Sequence, residues 1–342
     1  MNISLKNLTK SNWFLLLPYL IILLFYNYLP SNDEVYQLEG AIRLLKGNGY
    51  TASNVSPNIY NFNKFTYLHS WPIGYSILIF IFMKFGLGLV FSAKLLKLFT
   101  ITFTYRYWMK FAQNILINDI DLFFFSLLLI LYTIVSASSL TDTILLLILS
   151  ITCNLFYNYY TNPIVNSSII SFVLGFLCSI AFLIKYTAIG LIVPTFLIYL
   201  YILLFIKKEH FLKCFYFLLI TSTTIIIVSY TNYIHTNEYN TITKNITTSL
   251  FYNIINISYY DIIKTVLIKS TLFPLLILKL ANKFNFYEIK FLSILAFPFL
   301  LLIIQQILIK YNRQYKILYK LILCYIFFNI IFSVSRFTIS AK

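Results

Sequence analysis

The chain has 342 residues, of which 60% are hydrophobic and 11% charged, with a mean hydropathy of +0.83 and a formal net charge of +16. A soluble globular protein carries roughly 25% charged residues, so a water-soluble fold is excluded. The bases sit in short clusters between apolar runs, the pattern of positive-inside loops rather than of a nucleic-acid-binding surface.

Repeated apolar runs of about 17–25 residues mark transmembrane helices. In lipid the backbone must satisfy its own hydrogen bonds, and continuous rather than alternating runs argue against a β-barrel, so an all-α polytopic membrane protein is expected. An aromatic content of 19%, with 29 Tyr, suits side chains that anchor at headgroup level. Cys153, Cys178, Cys214 and Cys324 stand apart in or beside apolar runs, without CxxC or Cys/His spacing. Neither a disulfide framework nor a zinc site is signalled.

Residues 1–11 are short and basic, which places the N-terminus on the cytoplasmic side. Residues 13–29 are just long enough to span and are followed by no small-residue cleavage site, so the segment reads as a retained helix. The first outer loop, residues 30–88, opens with Asp33, Glu34 and Glu39, three of the ten acidic residues. Over residues 32–46 Val35, Leu38, Ile42 and Leu45 form an apolar stripe, Glu39 and Arg43 are an i,i+4 pair, and Gly47 and Gly49 end the pattern. A surface-lying amphipathic helix fits it. Residues 48–70 read as a polar loop. Pro72 opens a short helix over 73–85 that Gly86 and Gly88 end, too short to span and so interfacial or re-entrant.

By parity, 89–107 runs inward, 122–138 outward, 143–160 inward, 169–184 outward, 188–206 inward and 215–234 outward. A second outer loop covers 235–261, and 262–280 reads as a further surface helix, giving about nine to ten spans in a single domain over 1–342. This order puts Asp119, Asp121, Glu209 and Glu288 inside, and Asp33, Glu34, Glu39, Asp142, Glu238 and Asp261 outside. Asp142, in SSLTDTILLL, opens an apolar helix, where an ionisable group marks a function or a pair. Each of these residues also has an ordinary reading. Asp142 is a dipole partner at a helix N-terminus, Asp33–Glu34 is a solvated pair, His69 is an interfacial histidine, and Lys94 and Lys185 snorkel. Adjacent acids on a helix face different ways, so at most one of Asp33 and Glu34 points into a given site.

Several segments together resemble the polytopic C-type glycosyltransferase superfamily, in particular bacterial lipid-linked sugar transferases of the protein-mannosyltransferase or aminoarabinose-transferase kind. Asp33-Glu34-x-Tyr36, Ala41 and Leu44-Leu45-Lys46-Gly47-Asn48-Gly49-Tyr50 resemble the acidic pair, small residue and Gly-x-Gly-Tyr turn after the family's first span. Trp71-Pro72-Ile73-Gly74-Tyr75 resembles its Trp-Pro-Pro-Gly-Tyr segment, with Ile73 in place of the second proline. Phe85-Gly86, Lys94, Asp142, Leu183-Ile184-Lys185 and Arg336-Phe337 follow in the family's order, Phe337 standing where relatives carry Tyr. The likeness covers roughly residues 12–205.

The resemblance implies transfer of a sugar from a polyprenyl-phosphate donor to a hydroxyl acceptor (on a glycan, lipid or protein) on the extracytoplasmic face, by a single inverting displacement. Such chemistry needs a base for the acceptor proton, cations for the departing phosphate and a groove for the lipid. Asp33 is the expected base, since partial desolvation makes a carboxylate a better one, a contribution of typically 10²–10⁴-fold. Lys94, Lys185 and Arg336 are the expected phosphate donors, with Tyr36, His69 and Tyr75 as further substrate contacts. Asp142 and Glu34 complete the catalytic set: Asp142 can orient a lysine, position the acceptor, or share a divalent cation with Glu34. No cofactor is required by this logic. The alternatives are a transporter or lipid flippase, which calls for midplane polar groups and symmetric repeats that the sequence does not display, and a non-catalytic membrane subunit.

Overall fold

The computed structural model describes residues 32–56, 59–68, 71–115 and 140–237, with isolated positions at 21, 30, 122, 125, 126, 129 and 130. The chain divides into two units, residues 1–188 with 199–240, and residues 189–198 with 241–342. All packing described below lies within the first.

The described residues are mostly helical. Helix α1 (Asn32–Leu45) matches the amphipathic segment read from the sequence. It closes as a Schellman turn: the Gly47 N–H donates to the Leu44 carbonyl at 3.2 Å and the Asn48 N–H to Arg43 at 2.9 Å. This turn requires the left-handed conformation that Gly47 adopts, φ 76°.

The next segment corrects the loop expected over 48–70. Strands β1 (Thr51–Ser56) and β2 (Ile59–Tyr67) form an antiparallel hairpin with an irregular register between Ser53 and Val55. The physical signal is the alternation Tyr60-Asn61-Phe62-Asn63, an aromatic every second residue, which favours a strand despite the asparagines. An all-α description is therefore too narrow. The hairpin is tied to α1 by Glu39, whose carboxylate accepts from the Ser53 backbone N–H at 3.0 Å and from its hydroxyl at 2.9 Å.

Helix α2 (Gly74–Lys84) is the short helix expected over 73–85. Gly86, φ 86°, closes it with a second Schellman turn, after which α3 (Leu89–Ile115) departs at 114°. By length and composition the bent pair fits a broken span or a re-entrant loop, and α3 runs eight residues beyond the expected 89–107.

Helices α4 (Leu140–Thr161) and α5 (Ser167–Ile184) follow, then a 3₁₀ turn (Tyr186–Ala188). Helix α6 (Ile189–Tyr201) continues through a π turn (Ile202–Ile206), and a 3₁₀ turn (Phe211–Cys214) leads into α7 (Phe215–Thr236). Among the described residues four helices are long and apolar enough to cross a membrane, or five if the bent pair counts as one span. The span expected at 13–29, apart from position 21, and the surface helix expected at 262–280 lie outside the described residues, as does most of 122–138.

Small residues let these long apolar helices pack closely. On α5, Ser171, Gly175 and Ser179 recur at four-residue spacing against α7. A Cβ on Gly175 would stand 3.0 Å from the Phe217 Cα. The Phe217 N–H donates to the Ser171 hydroxyl at 2.9 Å, and the Ser179 hydroxyl donates to the Ile220 carbonyl at 3.3 Å. Helices α3 and α4 are joined by Asn154, whose amide donates to the Tyr107 carbonyl at 2.8 Å.

Candidate functional site

The start of α4, the end of α5, the start of α2 and the end of α7 converge at one end of the helices, beside α1 and the hairpin. Asp142 lies in the first turn of α4 and Lys185 caps the end of α5. Each charge thus sits at the helix terminus whose dipole favours it. They meet across the gap: Lys185 Nζ donates to Asp142 Oδ1 at 2.5 Å. The pair is open to solvent mainly through the carboxylate, whose side chain is 50% exposed against 18% for the lysine.

Glu34 is only 2% exposed, and its Oε1 accepts a hydrogen bond from the Leu140 N–H, the first of α4. A buried carboxylate needs a counter-charge, and Lys97 on α3 lies within electrostatic reach of it. Lys94 precedes Lys97 by three residues and so lies on the same side of α3.

Uncharged polar groups knit the same end together. Tyr50 donates to the carbonyls of Trp71 and Pro72 at 3.1 and 3.2 Å, Ser76 to the Gln37 carbonyl at 2.7 Å, and the Gln37 amide to Pro72 at 3.5 Å. Burial pushes the Tyr50 hydroxyl well above its ordinary pKa. Tyr36 stacks on Trp71 at 4.6 Å and Tyr67 on His235 at 4.5 Å, which brings the hairpin onto the end of α7. Asn232 donates to the Tyr186 hydroxyl at 3.1 Å, and burial, only partly opposed by that bond, pushes Tyr186 up to about 12.

The structure therefore brings together Glu34, Tyr36, Asp142 and Lys185 of the residues singled out from the sequence, with Lys94 on the adjoining face of α3. Tyr75 is at the same end and fully buried. Asp33 stands in the first turn of α1; its side chain lies outside the described residues, as do His69 and Arg336 altogether. Glu34 and Asp142, paired above as possible metal ligands, each have a protein partner, the Leu140 N–H and Lys185. Among the described residues no group of three or more His, Cys, Asp or Glu gathers to hold a metal ion.

Sequence reading missed Lys97, Gln37, Ser76 and Asn232. The only advance signal was Lys97 itself, a second lysine within a span and one turn past Lys94. The opposite end of the helices carries a separate network. There Tyr159 donates to the Ser167 hydroxyl and Tyr199 to the Ser167 carbonyl, both at 2.7 Å, and Lys213 pairs with Glu209 at 2.9 Å.

Comparison with family models, curated proteins and solved structures returns no significant match for this chain.

Proposed function

We propose that the chain is an integral-membrane glycosyltransferase that moves a sugar from a polyprenyl-phosphate donor to a hydroxyl acceptor on the extracytoplasmic face. One observation carries the reading. Acids and bases far apart in sequence collect at a single end of long apolar helices, with the half-exposed Asp142 carboxylate paired to Lys185. A membrane protein gains little stability from such a pair at its surface, so its concentration beside the buried acid Glu34 and two further lysines favours a role in handling charge. A phosphate-bearing lipid at the membrane boundary is a substrate that such charge suits.

In this reading the acceptor hydroxyl loses its proton to Asp33 as its oxygen attacks the sugar's anomeric carbon. The bond from that carbon to the phosphate oxygen breaks, with inversion, and the polyprenyl phosphate leaves as an anion. Lys185 and Lys94 stabilise the departing phosphate as charge-assisted donors, and Asp142 holds Lys185 in place until the phosphate competes for it. Glu34 is turned to the backbone of α4, and proton transfer is assigned to Asp33. The cytoplasmic N-terminus and the outward-facing site belong to the same proposal and rest on the distribution of lysines and arginines.

Lipid-linked glycan analysis of cells lacking the protein tests the reading. A polyprenyl-phosphate sugar should accumulate while one envelope glycan, glycolipid or glycoprotein loses that sugar. An unchanged lipid-linked pool and unchanged glycans would overturn it.

A further inference from the structure

Two backbone contacts meet the helix ends that carry Asp142 and Lys185, and each lies two residues from the charge it would set. On one side the buried Glu34 carboxylate receives the Leu140 N–H, two residues before Asp142. On the other, Gly74 at the start of α2 lies directly against α5. A Cβ at that glycine would stand 2.5 Å from the Leu183 carbonyl oxygen and 2.7 Å from its carbon, two residues before Lys185. Main chain cannot swing aside as a side-chain tip can, so only glycine permits this approach. The two contacts belong to one piece of structure, because the Ser76 hydroxyl donates to the Gln37 carbonyl at 2.7 Å and so locks α2 to α1.

We infer that Glu34 and Gly74 act as a two-point clamp by which the α1–α2 segment sets the Asp142–Lys185 pair, making both positioning residues rather than catalytic ones. The Leu140 N–H is one of the helix-start donors that have no partner within α4, and Glu34 supplies an acceptor from 106 positions away. Fixing that N–H fixes the direction of the first turn and with it the Asp142 carboxylate. Gly74 sets how near the end of α5, and therefore Lys185, comes to the same point. The significance for catalysis rests on the sugar-transfer reading, but the clamp itself is a statement about geometry and is tested without any transfer.

The readout is the rate at which Lys185 reacts with a water-soluble amine-acylating reagent in the full-length, detergent-purified protein. It is followed by mass spectrometry and normalised to the exposed Lys46. Asp142→Asn defines the unpaired lysine and should raise the rate about fivefold, the factor set by a partly exposed ion pair. Glu34→Ala, which removes the acceptor, should approach the same rate, and so should Gly74→Ala, which pushes α5 away. Glu34→Gln retains an oxygen at the same reach and should stay within about twofold of the native rate. Glu39→Gln, which touches the hairpin instead, is the control and should not move it.

Native-like labelling in folded Glu34→Ala and Gly74→Ala overturns the clamp. Equal labelling of Glu34→Gln and Glu34→Ala overturns the backbone-acceptor role and assigns the effect to the Glu34–Lys97 charge interaction. Should Glu34→Ala fail to fold, Gly74→Ala against Glu39→Gln decides alone. Loss of the clamp would leave the sugar-transfer reading standing, and loss of that reading would leave the clamp.

Discussion

Replacing either member of the Asp142–Lys185 pair gives a quantity that can be worked from its geometry. At 2.5 Å the charges attract by about 7 kcal/mol at an effective dielectric of about 20. Most of that cancels against the water each group gives up. The 50% exposure of the Asp142 side chain pulls the net value towards the roughly 0–1 kcal/mol of surface pairs, while the 18% exposure of Lys185 holds it at the upper end. The net coupling is therefore about 1 kcal/mol. Asp142→Asn alone should destabilise by more, about 1–2 kcal/mol, because it leaves a largely enclosed ammonium without its partner.

The assay is a double-mutant cycle of Asp142→Asn, Lys185→Gln and the double variant, read as thermal unfolding in detergent. A chain of this size should shift by about 2 °C or less per kcal/mol. The double variant should be less destabilised than the sum of the two singles by the coupling energy, and salt at about 1 M should shrink that difference. Additive single-variant effects at low salt would refute the pair as described.

Three further outcomes are expected. Gly175→Ala should destabilise by about 1–3 kcal/mol in the same melts, because its Cβ would meet the Phe217 Cα at 3.0 Å and force α5 and α7 apart; an unchanged or raised melting temperature would contradict that crossing. Tyr50→Phe should cost about 1–2 kcal/mol in the same melts, because it removes the hydroxyl donor from the Trp71 carbonyl and leaves the buried Pro72 carbonyl only the long bond from Gln37. Burial works to raise the Glu209 carboxyl, yet bonds to Ser167 and Lys213 outweigh it and hold the group below its ordinary value. A depressed folded value means stability that is fully present above the unfolded carboxylate range, about pH 4.3. That stability is lost as pH falls through the folded value, so Glu209→Gln should flatten the loss on acidification.

The long helices were legible because their apolar runs are continuous and long enough to cross a membrane, and α4, α5 and α7 begin and end within three residues of where the sequence placed them. Turn chemistry was equally readable: Gly47 and Gly86 stop α1 and α2 through positive-φ turns that few other residues tolerate. The hairpin was obscured because its composition, rich in asparagine, says loop while its two-residue period says strand. Asp142 and Lys185 were visible as isolated charges at helix mouths, and orienting a lysine was among the roles Asp142 was given. Their meeting depends on α4 and α5 running antiparallel with matched lengths. Glu34 was visible as an acid after the first apolar run, but its contact with the Leu140 N–H, 106 residues distant, was not. No local pattern in the sequence encodes that, nor the stacking of Tyr67 on His235 across the whole of the intervening helices.

The most direct test of the account is transfer itself, measured in membranes containing the protein and a radiolabelled polyprenyl-phosphate sugar, with Asp33→Asn compared against the native chain at equal protein level. The account predicts a loss of about 10²–10⁴-fold, with the protein's melting temperature unchanged. Transfer at the native rate in Asp33→Asn would contradict it.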